Sequence, residues 1–145
     1  MASGHDLETC VSRAIIKIRQ RVKKSRLTHQ KKKHLVQDYP SIVVACGYQR
    51  SGDTFWGVSA SLVNHHYNTM ILERLISLGV KIGEKRKICK NAVGACAEPH
   101  AADKVVKSFP GCKMNELQFS RAYRPRTAQR KKNCKNCKDT FYEVL

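Results

Sequence analysis

Hydrophobic residues recur at helical spacing near the start of the chain. Leu7, Val11, Ile15, Ile18 and Val22 follow one another at intervals of four, four, three and four, which predicts a helix over residues 6–24 with one apolar stripe. Asp6 is placed to cap it, and Arg13, Lys17, Arg21 and Lys24 project away from the stripe. The period then changes. Residues 41–48, SIVVACGY, form a short β-branched run after Pro40 and predict a buried strand. Turn residues at 50–53 lead into FWGVSA at 55–60, a second strand that completes an antiparallel hairpin. Met70, Ile71, Leu75 and Leu78 place a helix over 66–78, with Gly79 as its stop. A basic connector at 81–90 precedes another helix at 99–109. Leu117, Phe119 and, less cleanly, Tyr123 alternate in a third strand over 116–123, and a basic tail runs from 124 to 138.

At 145 residues the chain suits one domain, residues 1–145, in which 1–38 form a basic N-terminal helix and connector and 39–145 a core. The 41% hydrophobic content is enough for that core. No apolar run approaches the roughly 18 residues of a membrane span. The first 20 residues lack the charged lead and unbroken apolar block of a signal peptide. The expectation is therefore no membrane partner and a cytoplasmic location, reached directly or by delivery into a target cell. Charge sharpens this: 28 Lys and Arg against 11 Asp and Glu leave a net +17. Ten of these cations lie between Arg13 and Lys33, in a stretch without acids from Thr9 to Gln37. A nucleic acid is the partner such a balance favours, ahead of an anionic membrane surface or a merely solvated basic face.

The cysteines change the picture again. Seven is an odd number and argues against a fully paired disulfide framework. Cys134 and Cys137 have the spacing that turns two thiolates toward one zinc ion, and Cys96 offers a third sulfur. Three protein ligands leave a position for water, as in catalytic zinc sites, and Glu98 lies two residues from Cys96, where it can move that water's protons. Pro99 suits the first turn of a helix, which sets Cys96 at the helix edge, and a helix opening at Cys134 would aim a second positive end at the metal. The competing set is a closed site of Cys89, Cys96, Cys134 and Cys137 in a non-catalytic, zinc-stabilised nucleic-acid-binding module. The six-residue gap between Cys89 and Cys96 exceeds the usual spacing and leaves Glu98 without a role. A redox role for Cys134 and Cys137 lacks the βαβ context it needs.

Cys96-Ala-Glu98 followed after a strand by Cys134-x-x-Cys137 resembles the signature of the zinc-dependent cytidine deaminase superfamily. The order of elements fits that fold, and Ala122–Thr127 (AYRPRT) is most similar to the deaminase domains of bacterial polymorphic toxins, the YwqJ-like group. The resemblance covers roughly residues 40–138. It departs from the family at Asn133, where Pro is usual, and in the eight residues after Cys137, too few for the last two strands of the family's sheet. It implies an α/β fold with a mixed sheet that begins in an antiparallel hairpin, one Zn2+ per chain on Cys96, Cys134 and Cys137, and Glu98 as the proton carrier. The implied reaction is hydrolytic deamination of a nucleobase, cytosine before adenine, with an immunity protein as partner if the chain is a toxin. The basic runs at 13–33 and 121–138 hold 18 of the 28 cations, which favours a single-stranded polynucleotide, DNA first, over a free nucleoside.

Candidate substrate contacts are Asn64, from the same resemblance, with His65, Ala97 and His100 near the proposed site. A loop Asn, exposed His residues and a surface His100 are the plainer readings of the same positions. Trp56 and Tyr123 could stack on a base, although strand aromatics are usually core. Cys10, Cys46 and Cys112 read as structural.

Overall fold

The central strand, β1 (Val43–Tyr48), is buried at all six positions, which accounts for its unbroken apolar run. The computed structural model describes residues 4–28, 39–60 and 65–145, so the basic stretch 29–38 and Asn64 lie outside the described residues. Val43 and Ala45 face helix α1 (Gly4–Thr28), whose stripe of Leu7, Val11, Ile15, Ile18 and Val22 is buried against them. Val44, Cys46 and Tyr48 face the other way, into a second core layer. That layer is shared with helices α2 (Thr69–Ile76), α3 (Ala97–Ser108) and α4 (Lys135–Thr140). Helix α2 is shorter than the apolar spacing suggests, because the Asn68 side chain accepts from Met70 N and fixes its start. Among the described residues, no helix is long and apolar enough to cross a membrane.

Strand β2 (Thr54–Val58) pairs with β1 in the expected hairpin, with Cys46 opposite Phe55. On the other side of β1 lie β3 (Leu117–Phe119) and β4 (Ala122–Tyr123), and β5 (Arg130–Lys131) closes that edge. Every pairing is antiparallel, which corrects the expected mixed sheet. Strands β2 and β3 do run in the same direction, but β1 separates them, so no parallel pair forms.

The expected strand over 116–123 is split by a bulge. Phe119 pairs with Cys46 and Tyr123 with Val43, so four steps on one strand oppose three on the other. Ser120 fills the gap: its N–H donates to Ala45 O and its Oγ accepts from Ala45 N, both at 2.9 Å. The slip turns Tyr123 toward α1 while Leu117 and Phe119 face the other layer, which explains the imperfect alternation.

Helix α3 packs on the sheet through Ala97, Ala101 and Ala102, all fully buried. The approach is closest at Gly57 of β2, where a Cβ would stand 2.4 Å from Ala101 N and 2.8 Å from Ala97 O. Both neighbours are backbone, so relief requires moving the helix. Gly57→Ala is therefore expected to lower stability by about 2 kcal/mol, the usual scale of overpacking, read as a lower urea midpoint. An unchanged midpoint would show that α3 is not held by this contact.

Candidate metal centre

Two helix starts converge on one point. Gly94 turns the chain into α3 with φ at +88°, a left-handed conformation suited to glycine. Its carbonyl accepts the Tyr67 hydroxyl, and Ala95 O accepts Ala60 N–H at 3.1 Å. Cys96 is the N-cap residue of α3, followed by Ala97, Glu98 and Pro99 in the first turn. Proline costs nothing there, because first-turn N–H groups have no partner within the helix. Cys134 caps α4 in the same way, and Cys137 lies buried one turn on. Phe141, fully buried against Phe119 at 4.9 Å between ring centres, anchors the far end of α4. Asn136, between the two cysteines, donates to Asn91 O at 2.9 Å and accepts from Arg86, which also pairs with Asp139 at 2.9 Å.

The three sulfurs lie together. Cys96 Sγ is 3.2 Å from Cys134 Sγ, Cys134 Sγ is 3.5 Å from Cys137 Sγ, and all three fall within 4.8 Å of one another. A tetrahedral ion with Zn–S bonds of about 2.3 Å separates its sulfurs by roughly 3.8 Å, close to these spacings. The set could hold a metal ion. Cys89 is not part of it, so the four-cysteine set is not assembled among the described residues. Contact with Cys137 and Cys96 holds the Cys134 thiol far below its usual range, and contact with Cys134 pushes those two up. Metal binding would replace their protons.

Glu98 sits beside the sulfurs, 3% exposed. Burial pushes its carboxyl upward, and the Cys137 thiol, which donates to Oε2 at 3.2 Å, pulls it back. Asn133 Nδ2 donates to Oε1 at 3.1 Å. In the sequence Asn133 stands out only as a departure from proline; in the structure its amide fixes the second carboxylate oxygen. Glu98, Cys96, Ala97 and Cys134 line a cleft of about 450 Å³, with Cys137 set behind them. A buried carboxylate with a raised pKa, reachable from a cleft, is equipped to exchange protons.

His65 and His100 are brought together, but not on the cleft wall. Their rings meet edge to face at 4.5 Å, with Tyr67 against both. Burial first, then His65, pushes His100 down to about 4, so its ring is neutral at physiological pH. Asp103, 3.4 Å from His65, is engaged by Asn68 N–H and Lys107, each at 2.7 Å. This cluster joins α3 to the start of α2. Trp56 lies in the α1 layer between Arg21 and Lys104, and the Tyr123 hydroxyl donates to Glu8 at 2.7 Å; neither lines the cleft. Cys46 and Cys112 are buried and Cys10 half-buried, apart from the sulfur cluster.

The chain is expected to bind one thiophilic metal ion, measured by elemental analysis of the purified protein. Cys134→Ser or Cys137→Ser should lose the metal and Cys89→Ser retain it. Equal loss in Cys89→Ser would favour a closed four-cysteine site. No family model, curated protein or solved structure matches the chain.

Proposed function

We propose that the chain is a zinc-dependent hydrolytic deaminase of nucleobases, with cytosine in single-stranded nucleic acid as its substrate. The observation that carries this reading is the buried Glu98 carboxylate beside three clustered cysteine sulfurs at the wall of an open cleft. A closed structural site has no use for such a carboxylate, whereas hydrolysis at a carbon bearing an amine needs one. The resemblance to the cytidine deaminase superfamily, in Cys96-Ala-Glu98 and Cys134-x-x-Cys137, supports the same assignment.

Zinc on Cys96, Cys134 and Cys137 would supply Lewis-acid activation of water when bound. The chain's own residues then carry the protons. Glu98 accepts a proton from the attacking water as the C–O bond forms at the amine-bearing carbon and the ring C=N bond opens, and passes it to the ring nitrogen. It then carries the proton of the new hydroxyl to the departing amine as the C–N bond breaks and the carbonyl forms, so water is consumed and ammonia released. Asn133 keeps Oε1 occupied, and Cys137, once on the metal, would no longer offer the thiol proton that Oε2 accepts, which leaves Oε2 as the oxygen that exchanges. A base inside a duplex must be flipped out at a cost of a few kcal/mol, whereas a single strand presents it without that cost.

Ammonia release from nucleosides, single strands and duplexes tests the reading. Glu98→Ala is expected to keep its metal and its fold and to lose activity by at least 10²–10⁴-fold, the usual contribution of positioned proton transfer. Retention of activity within a few-fold would remove Glu98 from the mechanism.

A further inference from the structure

The cleft has a second wall that the reaction does not use. Arg124, Arg126, Lys131 and Lys132 line it, and Glu98 is the one acidic residue among the described lining residues. Cations elsewhere have carboxylate partners: Arg50 with Glu116, Arg74 with Glu143, Arg86 with Asp139 and Lys107 with Asp103. The four on the cleft form no ion pair among the described residues. Like charges gathered at one cleft repel one another, and an anion relieves that repulsion.

The backbone that carries them is held in shape. Between β4 and β5 the turn is closed by Arg124 N–H to Gln129 O at 2.8 Å and Ala128 N–H to Arg124 O at 2.7 Å. Arg19 of α1 grips the same turn from outside, with Nε on Pro125 O at 3.0 Å and Nη2 on Arg126 O at 3.3 Å. Lys131 of β5 and Lys132 just after it line the cleft, whereas Arg130 does not. Total charge therefore does not decide which cations meet the ligand; the hairpin does.

We infer that Arg124, Arg126, Lys131 and Lys132 form a phosphate-binding wall that seats the sugar-linked phosphate of the molecule whose base enters the cleft. The assignment of the base rests on the proposed function; the assignment of the phosphate rests on the wall. A phosphate of a free nucleotide and one of a polynucleotide share this chemistry, and the test separates them.

The experiment measures binding by zinc-loaded full-length Glu98→Gln protein, so that turnover plays no part. The probes are deoxycytidine, deoxycytidine monophosphate and a fluorescent single-stranded oligonucleotide containing one cytosine. Two triple variants of equal charge change are compared: Arg124→Gln/Lys131→Gln/Lys132→Gln on the wall, and Lys81→Gln/Lys85→Gln/Lys87→Gln on the exposed connector. Circular dichroism and zinc content confirm the fold of each. The wall triple is expected to weaken phosphate-bearing probes roughly tenfold or more and to flatten the oligonucleotide's salt slope by about 2, at about 0.7 per contact. The connector triple should change affinity by less than about threefold, and neither should change deoxycytidine binding. Tighter binding of the oligonucleotide than of the monophosphate assigns the wall to a strand, and equal binding assigns it to a free nucleotide; both support it. Equal weakening by the two triples, or monophosphate binding no tighter than deoxycytidine in the parent protein, overturns the wall. Phosphate-dependent binding without ammonia release from the Glu98 protein would keep the wall and remove the deaminase reading.

Discussion

The site depends on how closely α3 lies on the sheet. At Gly57 there is no space for a methyl group between strand and helix, and the helix answers with Ala97, Ala101 and Ala102 on the facing side. That contact holds the first turn of α3, and with it Cys96 and Glu98, at a fixed height over β2. The second half of the centre comes from residues 36 to 41 positions further along the chain. It is brought into register by different means: Phe141 is sunk in the core, and Asn136 and Arg86 clasp α4 to the preceding loop. A rigid seat and a separate clasp place three sulfurs within 4.8 Å without any disulfide.

Electrostatics explain why such a centre needs a cation. Three thiolates and a carboxylate gathered in a largely buried volume would repel one another strongly. Without a metal the group relieves this by keeping protons, with Cys96 and Cys137 held as thiols around Cys134 and the Glu98 carboxyl pushed up by burial. A divalent ion would take over the role of those protons. It would leave Glu98, tethered by Asn133, as the group still able to gain and lose one. The cationic hairpin lining the cleft adds an attraction for negative charge that the acidic centre does not provide.

Much of this was legible in the residues. The stripe from Leu7 to Val22, the hairpin and the placement of Cys96 at a helix edge all follow from period, turn chemistry and the position of Pro99. Cys134 and Cys137 stood out by their spacing, with Cys96 offered as a third sulfur, and the structure brings the three together. What was hidden depends on contacts between distant segments. The bulge at Ser120 arises because a side-chain hydroxyl completes a ladder rung with Ala45, and no local pattern announces it. The antiparallel sheet depends on which side of β1 the chain returns to after α3. Asn133 carries a signal only once Glu98 is known to lie beside it. Arg124 and Arg126 look like any other members of a basic tail until the turn that Arg19 holds aims them at the cleft.

The central claim is that three sulfurs of this chain hold a metal with a position left open beside Glu98. X-ray absorption at the zinc edge of the loaded protein reads that directly. The account predicts three sulfur neighbours at about 2.3 Å and one oxygen or nitrogen at about 2.0 Å. Four sulfur neighbours would describe a closed structural site and contradict it.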